Sequence, residues 1–151
     1  MKLNRLIYKS IAHPKTLEKE NISNILESSI KHNKSHGING LLLLSGDYFL
    51  QVLEGPSKFL NELYKKIVND ERHHDVQLLH YESISEPYFS DWSMRLIEID
   101  NVSIPVYKML LKKYPNDGKI ILFPENKLLL YSLLQDALYF VKLHDKKDDA
   151  N

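Results

Sequence analysis

Three polar side chains occur at positions where the sequence pattern predicts a buried face: Tyr8, Asn33 and Gln51. Each can form hydrogen bonds, and a glutamine in an apolar interior needs partners for one acceptor and two donors. Leaving such an amide unpaired costs roughly a few kcal/mol, so Gln51 predicts a polar guest beside it. A neighbouring backbone group or a water molecule would satisfy the same amide, and Gln51 alone does not separate these alternatives.

Gln51 lies in a predicted β-hairpin. Two apolar runs, residues 41–44 and 48–53, are separated by a short turn in which Gly46 and Asp47 permit a tight reversal of the chain. Because side chains alternate along a strand, the second run presents two faces, and both are apolar around Gln51. The hairpin therefore predicts that the glutamine is buried.

Tyr8 lies in a predicted first strand, residues 3–10, which ends before Pro14. Tyr8 and Ser10 point to the same face of this strand. If the first strand is a neighbour of the hairpin strand, Tyr8 and Gln51 can share one side of the sheet.

Asn33 lies on the inward stripe of a predicted first helix, residues 17–35, which Gly37 closes. The stripe follows the spacing of one helix face and consists of Ile22, Ile25, Leu26, Ser29 and Asn33. It turns polar toward its C-terminal end, where an ordinary core helix carries apolar residues. Either a group that can hydrogen-bond lies beneath Ser29 and Asn33, or this helix end lies near the surface.

The remaining elements complete the order β-α-β-β-α-β-β. A second helix begins around Gly55-Pro56-Ser57, with proline near its first turn, and its predicted buried stripe is Leu60, Leu63, Tyr64, Ile67 and Val68. Further strands are predicted over residues 76–84 and 92–99. This order predicts an α+β, ferredoxin-like fold with an added strand, in which a mixed sheet carries these two helices on one face.

Residues 101–151 predict a helical extension of the domain formed by residues 1–100. Helices are expected over residues 104–114 and 125–143, covering the other face of the sheet. The second is apolar over more than half of its surface, so we expect it to be partly buried and partly shared with a second subunit or a signalling partner. Residues 144–151 are predicted to fray.

The composition argues against several function classes. The chain of 151 residues has 20 Lys plus Arg and 20 Asp plus Glu, so no net charge attracts nucleic acid or an anionic membrane. It has no cysteine, and therefore no disulfide, thiol nucleophile or thiolate-bound metal. The sequence has no signal-peptide pattern and no apolar run of the roughly 18–20 residues that a membrane span needs, so we expect a cytoplasmic protein.

Conventional metal and catalytic motifs are absent from the sequence. His32 and His36 have the spacing of zinc ligands on a helix, but no further ligand completes a site, and locally bonded or solvent-facing histidines are expected instead. The same holds for His73-His74. The glycines around Ile38-Asn39 do not match a phosphate-binding pattern, and no serine lies in a GxSxG motif.

The polar residues belong to a series of motifs that resembles one family. In chain order these are Tyr8-Lys9-Ser10, His32-Asn33, Gly37-Ile38-Asn39-Gly40, Phe49-Leu50-Gln51-Val52-Leu53-Glu54-Gly55, Asp70-Glu71-Arg72-His73 and Trp92-Ser93-Met94. In this order and spacing, over about residues 3–100, they resemble the BLUF domain, a blue-light sensor that uses flavin. Asn39 departs from the family, which usually has threonine there. The predicted C-terminal helices are similar to those of short, single-domain BLUF photoreceptors.

The resemblance implies a non-covalent flavin, normally FAD but alternatively FMN or riboflavin, between the first two helices. Asn33 would bond the polar edge of the flavin ring, and Ile25 and Ile67 would enclose the ring. Gln51 would bridge the flavin and Tyr8. The other cofactor-binding positions that the resemblance implies are Ser29, His32, Lys66, Asp70, Arg72 and His73. The positions that it links to signal output are Ser10, Trp92 and Met94.

The same resemblance implies a photoreceptor and not an enzyme. Light would drive electron and proton transfer from Tyr8 to the flavin, leave Gln51 rotated or tautomerised, and alter a contact with a downstream protein. Two other classes share the predicted topology: a small enzyme such as an acylphosphatase or a flavin reductase, and a flavin-free interaction module or RNA binder. The sequence lacks the catalytic arginine loop, nicotinamide signature, clustered aromatics and basic groove that these alternatives require.

Overall fold

A computed structural model describes the backbone of residues 2–150 and the side chains of residues 2–146. The chain divides into two compact units, Met1–Glu98 and Ile99–Asn151. The division lies close to the predicted boundary after residue 100, and the separate roles of the two parts stay a prediction.

The first unit contains a five-stranded mixed sheet and two helices. Its strands are β1 Leu3–Ala12, β2 Asn39–Ser45, β3 Tyr48–Pro56, β4 His73–Ile84 and β5 Arg95–Glu98, and its helices are α1 Lys19–His36 and α2 Ser57–Val68. The strand order is β4-β1-β3-β2-β5, in which β5 runs parallel to β2 and the other neighbours are antiparallel. The predicted ferredoxin-like order with an added strand is confirmed.

Two glycines have backbone conformations that the hairpin region requires: Gly37 ends the helix before the hairpin, and Gly46 lies in its turn. Ser45 pairs with Tyr48, and Gly46 between them has a φ of 57°, a backbone conformation that glycine adopts at little cost. At the end of α1, Gly37 has a φ of 65°, and its N–H donates to the Asn33 carbonyl oxygen. Both the hairpin and the helix stop are therefore confirmed.

The helices α1 and α2 pack on one face of the sheet. Alternate residues of β1, β2 and β3 point to this face, where they meet the apolar stripes of the two helices. The buried residues of this core are Leu6, Tyr8, Ala12, Ile22, Ile38, Leu42, Phe49, Leu53, Leu60 and Met94.

Two local predictions about the first unit are wrong. Trp92 and Met94 do not lie within a strand, because pairing with β2 begins only at Arg95. Val68, the last residue of α2, is 48% exposed and is not part of the buried stripe. The predicted start of α2 is confirmed, since Pro56, the last residue of β3, is also the N-cap of this helix.

The second unit contains the helices α3 Ile104–Lys113 and α4 Lys127–Ala150. The helical backbone of α4 continues through Ala150, which contradicts the predicted fraying, and Asn151 lies outside the described residues. Although α4 buries several leucines, its exposed large apolar residues include Leu128, Leu129, Tyr139 and Leu143. The position of α3 and α4 on the second face of the sheet stays a prediction. None of the described helices has the length and hydropathy needed to cross a bilayer.

Candidate functional site

Tyr8 and Gln51 form a hydrogen-bonded pair on the face of the sheet that α1 and α2 cover. The two residues are direct partners in the register of β1 and β3. The Tyr8 hydroxyl donates to Oε1 of Gln51, and both side chains are buried. Nε2 of Gln51 donates to Sδ of Met94 at 3.7 Å. The amide therefore connects a phenol on β1 to the segment that precedes β5.

Burial keeps the Tyr8 phenol protonated. Removal from water raises the pKa of Tyr8 well above its ordinary value of 10.0, and the nearby negative charge of Asp70 raises it further. The ring lies 6.1 Å from the Tyr64 ring and 6.2 Å from the His73 ring, measured between centroids. The phenol is therefore neutral in the folded chain, and its hydroxyl donates to Gln51 Oε1.

A cavity of about 330 Å³ lies next to this pair, between α1 and α2. Tyr8 and Gln51 form part of its lining. All nine predicted cofactor-binding residues also line it, namely Ile25, Ser29, His32, Asn33, Lys66, Ile67, Asp70, Arg72 and His73. The residues predicted to carry signal output, Ser10, Trp92 and Met94, are not among its lining residues. The fold thus brings the residues predicted for photochemistry and those predicted for cofactor binding to one cavity.

Asn33 connects the cavity to the segment before β5. Its side chain is 2% exposed, and Nδ2 donates to the Ser93 carbonyl oxygen at 2.7 Å. The Trp92 carbonyl oxygen accepts from the Gly40 N–H at 3.1 Å. Together with the contact between Met94 and Gln51, these bonds hold three consecutive residues of the segment against α1, β2 and β3.

Charged side chains lie at the α2 end of the cavity. Arg72 binds Asp70 through two guanidinium nitrogens, with Nε 2.9 Å from Oδ1 and Nη2 2.6 Å from Oδ2. This hydrogen-bonded pairing lowers the pKa of Asp70 and raises that of Arg72. The Arg72 side chain remains 54% exposed in this pair. The charges of Arg72 and Asp70 are therefore accessible to a polar ligand at this end of the cavity.

His73 links the predicted output residue Ser10 to the end of α2. Its Nε2 lies 2.6 Å from the Ile67 carbonyl oxygen, which can only accept, so Nε2 carries the proton in this bond. In the neutral ring, Nδ1 then accepts from the Ser10 hydroxyl at 2.8 Å. Ser10 therefore contacts the cavity wall through His73 without lining the cavity itself.

The predicted site omits five lining residues that the structure adds: Thr16, Ser28, Leu42, Phe49 and Leu63. The alternation of the hairpin strands carries the signal for Leu42 and Phe49, since both lie on the face of Gln51. Thr16 carries no such signal, because its place depends on the short 3₁₀ helix Pro14–Leu17 and on a 2.7 Å bond from its hydroxyl to the Arg72 carbonyl oxygen.

The histidines with zinc-like spacing interact with each other. The rings of His32 and His36 stack at 4.2 Å between centroids, and Nδ1 of His36 lies 2.8 Å from the His32 carbonyl oxygen. No three His, Asp or Glu side chains come together as a metal-binding group among the described residues.

Comparison with known families decides the class of this site. The family model described as "BLUF: Sensors of blue-light using FAD" matches residues 3–95. The chain belongs to the BLUF family. The match includes the Tyr8–Gln51 pair and every residue that lines the cavity, so the flavin-using part of a BLUF protein corresponds to the first unit.

Curated relatives place BLUF domains in larger light-responsive proteins. This BLUF chain is 32% identical over 111 residues to photoactivated adenylate cyclase subunit alpha of Euglena gracilis, a match that covers 72% of this chain and 11% of the relative. It is 32% identical over 75 residues to the blue light- and temperature-regulated antirepressor BluF of Escherichia coli K12, covering 49% of this chain and 18% of the relative. The chain thus spans a small fraction of the length of these relatives.

Solved BLUF structures share the fold. The BlsA ground state superimposes with a TM-score of 0.76 at 27% identity, covering 90% of this chain and 87% of that chain. A bacterial light-regulated adenylyl cyclase gives a TM-score of 0.67 at 34% identity, covering 73% of this chain and 33% of that chain. BLUF structures therefore include a chain of similar extent as well as a larger cyclase.

Proposed function

We propose that this chain is a blue-light photoreceptor that binds FAD non-covalently in the cavity between α1 and α2. The proposal rests on the hydrogen bond from Tyr8 to Gln51. This bond joins a phenol that can be oxidised to an amide whose donor and acceptor ends can exchange, and both side chains line the cavity. Membership of a family described as using FAD supports the choice of ligand.

The residues that line the cavity suit a mostly apolar ring with one polar edge. Its volume lies in the range of small-molecule sites, roughly 300–1,000 Å³. Ile25 of α1 and Ile67 of α2 contribute apolar walls from the two helices. Nε2 of Gln51 has two N–H groups, and the thioether of Met94 is a weak acceptor for one of them. A carbonyl or ring nitrogen on the polar edge of a flavin suits the remaining donor.

The polar groups around the cavity divide into two sets with different tasks. Asn33 and Gln51 are neutral amides, and they can orient the polar edge of the ring through directional hydrogen bonds. Lys66, Asp70 and Arg72 are charged, and they suit the pyrimidine edge of the ring or the anionic phosphates of the dinucleotide tail. The neutral set would therefore tune the chromophore, and the charged set would mainly retain it.

A bound flavin supplies a strong one-electron oxidant when it absorbs blue light. Tyr8 can give up an electron and pass its phenolic proton to Oε1 of Gln51 along the existing hydrogen bond. The return of both to Tyr8 leaves no net oxidation. Gln51 remains rotated or tautomerised, so the atom facing Tyr8 changes between acceptor and donor. The hydrogen bonds of the site are thus rewritten without breaking a covalent bond of the protein.

The signal leaves the site through the segment that contains Met94. A rearranged Gln51 no longer presents Nε2 to Sδ of Met94 in the same way, and Arg95 begins β5 immediately after Met94. We propose that this change biases contacts of the second unit with another subunit or with a downstream protein. The exposed apolar residues of α4 support that surface, and the chain itself would act as a sensor without enzymatic turnover.

An absorption spectrum of the purified protein, before and after blue light, tests the photoreceptor function. We expect a flavin spectrum that shifts reversibly to longer wavelength, and mass spectrometry of the released cofactor distinguishes FAD from FMN and riboflavin. A protein that stays colourless after reconstitution with flavin, or that is yellow but unchanged by light, refutes the proposal.

The output step needs a separate comparison of dark and illuminated samples. We expect light to change oligomer size or hydrogen exchange in the second unit. Equal values in both states would refute the proposed output while leaving the photochemistry intact.

A further inference from the structure

Glu54 is a buried carboxylate that lies outside the flavin cavity. It is 1% exposed and lies three residues after Gln51 on β3, so the two side chains point to opposite faces of the sheet. Arg5, its partner in the register of β1, donates to Oε2 from Nε at 2.8 Å and from Nη2 at 2.7 Å.

The other carboxylate oxygen of Glu54 holds the start of the segment that leads to Met94. Oε1 accepts from the backbone N–H of Tyr88 at 2.8 Å and from that of Phe89 at 2.7 Å. The Phe89 side chain is 1% exposed, so this end of the segment is also packed. Only a carboxylate can accept both these N–H groups and the Arg5 fork at the same time.

The segment from Tyr88 to Met94 therefore passes from one face of the sheet to the other. It is held by Glu54 at its beginning and by Asn33, Gly40 and Gln51 at its end. If only the end were held, a change at Gln51 would be absorbed by movement of the whole segment. With both ends held, the change must be passed to β5, which follows directly.

We propose that Glu54, paired with Arg5, is a positioning residue that keeps Met94 on Gln51 and thereby couples the light reaction to β5. This inference rests on the proposed photoreceptor function for its consequence. Its structural part, the dependence of the Met94 position on Glu54, holds with or without a photocycle.

Glu54→Gln is the decisive variant. Glutamine keeps the shape of the side chain but has one acceptor oxygen, whereas Glu54 accepts hydrogen bonds through both of its carboxylate oxygens. Glu82→Gln is the matched control, since Glu82 also binds Arg5, at 3.3 Å, and lies on β4, on the other side of β1 from Glu54. We expect hydrogen exchange at the Tyr88 and Phe89 amides to become about tenfold faster in Glu54→Gln and to stay unchanged in Glu82→Gln.

Methyl NMR of labelled methionine reports the position of Met94 directly. We expect the Met94 methyl resonance to move in Glu54→Gln, in the dark and also without flavin, while that of Met109 in α3 stays in place as an internal control. In the flavin-loaded protein, the light-induced red shift should remain, but the light-induced change in hydrogen exchange of β5 should fall by about threefold or more.

Unchanged Met94 and amide signals in Glu54→Gln would overturn the inference, whatever the photocycle does. A wild-type protein without any light response would refute the proposed function, while the dark measurements would still decide the role of Glu54. If Glu54→Gln does not fold, Arg5→Lys replaces it, because lysine keeps the charge but loses the two-nitrogen fork. A Met94 resonance that stays in place in Arg5→Lys then overturns the proposal, and one that moves supports it.

Discussion

Tyr8 and Gln51 are 43 residues apart in the sequence, yet they lie opposite each other in the pairing of β1 and β3 and share a hydrogen bond. Directly paired residues of antiparallel strands point to the same face, so no intervening element is needed to bring the phenol to the amide. The sheet itself sets the distance over which the proposed proton transfer occurs. Changes to either side chain should therefore affect the photochemistry more than the fold.

Tyr8→Phe should remove the light-induced red shift while flavin stays bound. Phenylalanine keeps the buried ring, so packing around the cavity is retained, but no proton can move to Gln51. Absorption spectroscopy of the dark and illuminated variant checks this result. Tyr48→Phe, at the edge of the hairpin, is the matched control and should keep the wild-type shift. A wild-type shift in Tyr8→Phe would remove Tyr8 from the mechanism.

Gln51→Leu should also abolish the red shift, because leucine has a similar size but cannot exchange a donor for an acceptor. The dark spectrum should itself change, since the polar edge of the flavin loses a hydrogen-bond partner. The exposed residue Gln77 on β4 provides a control, and Gln77→Leu should leave both spectra unchanged. A light response that persists in Gln51→Leu would mean that the amide is not the switching group.

Asn33→Ala should weaken flavin retention. The variant removes a buried amide from the cavity wall and also frees the Ser93 carbonyl oxygen that it holds. A lost hydrogen bond of this kind costs about 1–2 kcal/mol, which corresponds to a roughly 5- to 30-fold higher Kd for flavin. Fluorescence titration of the flavin-free protein measures it. Asn24→Ala, on an exposed position of α1, should bind flavin like the wild type, and equal affinity in both variants would exclude Asn33 from the binding site.

The raised pKa of Tyr8 makes stability fall at alkaline pH. The folded chain keeps the phenolic proton above pH 10.0, where an unfolded tyrosine releases it. The stabilising contribution is therefore fully present below pH 10.0 and is lost progressively as the pH rises above that value. Other tyrosines with raised pKa values, such as Tyr64, contribute as well, so the comparison must be made between the wild type and Tyr8→Phe.

Denaturant unfolding at several pH values measures this contribution. We expect the free energy of unfolding of the wild type to decrease more steeply above pH 10.0 than that of Tyr8→Phe. The light-induced red shift should be constant from neutral pH to pH 10.0. Equal slopes for the two proteins, or phenolate absorption from Tyr8 in the folded state below pH 10.0, would contradict the inferred burial.

Local sequence patterns predict most of the first unit because they depend on near neighbours. The hairpin follows from alternating apolar residues around Gly46, and the end of α1 follows from Gly37. The limits of β5 were harder to predict, since Trp92 and Met94 have the apolar character of strand residues but precede Arg95, the first residue in the pairing of β5 with β2. The ends of a strand depend on which residues pair with a neighbouring strand. The apolar character of a single residue does not show this.

The sequence by itself determined most of the chemical groups in the cavity and most of the inward-facing residues, because side-chain type and strand or helix periodicity are local properties. Only the tertiary structure decided that Met94 accepts a hydrogen bond from Gln51, and that Glu54 accepts hydrogen bonds from the backbone of Tyr88 and Phe89. These contacts join elements more than 30 residues apart, as the separations of 34, 35 and 43 residues show. These contacts depend on the strand order, the register and the path of an irregular segment. A local sequence pattern predicts none of the three.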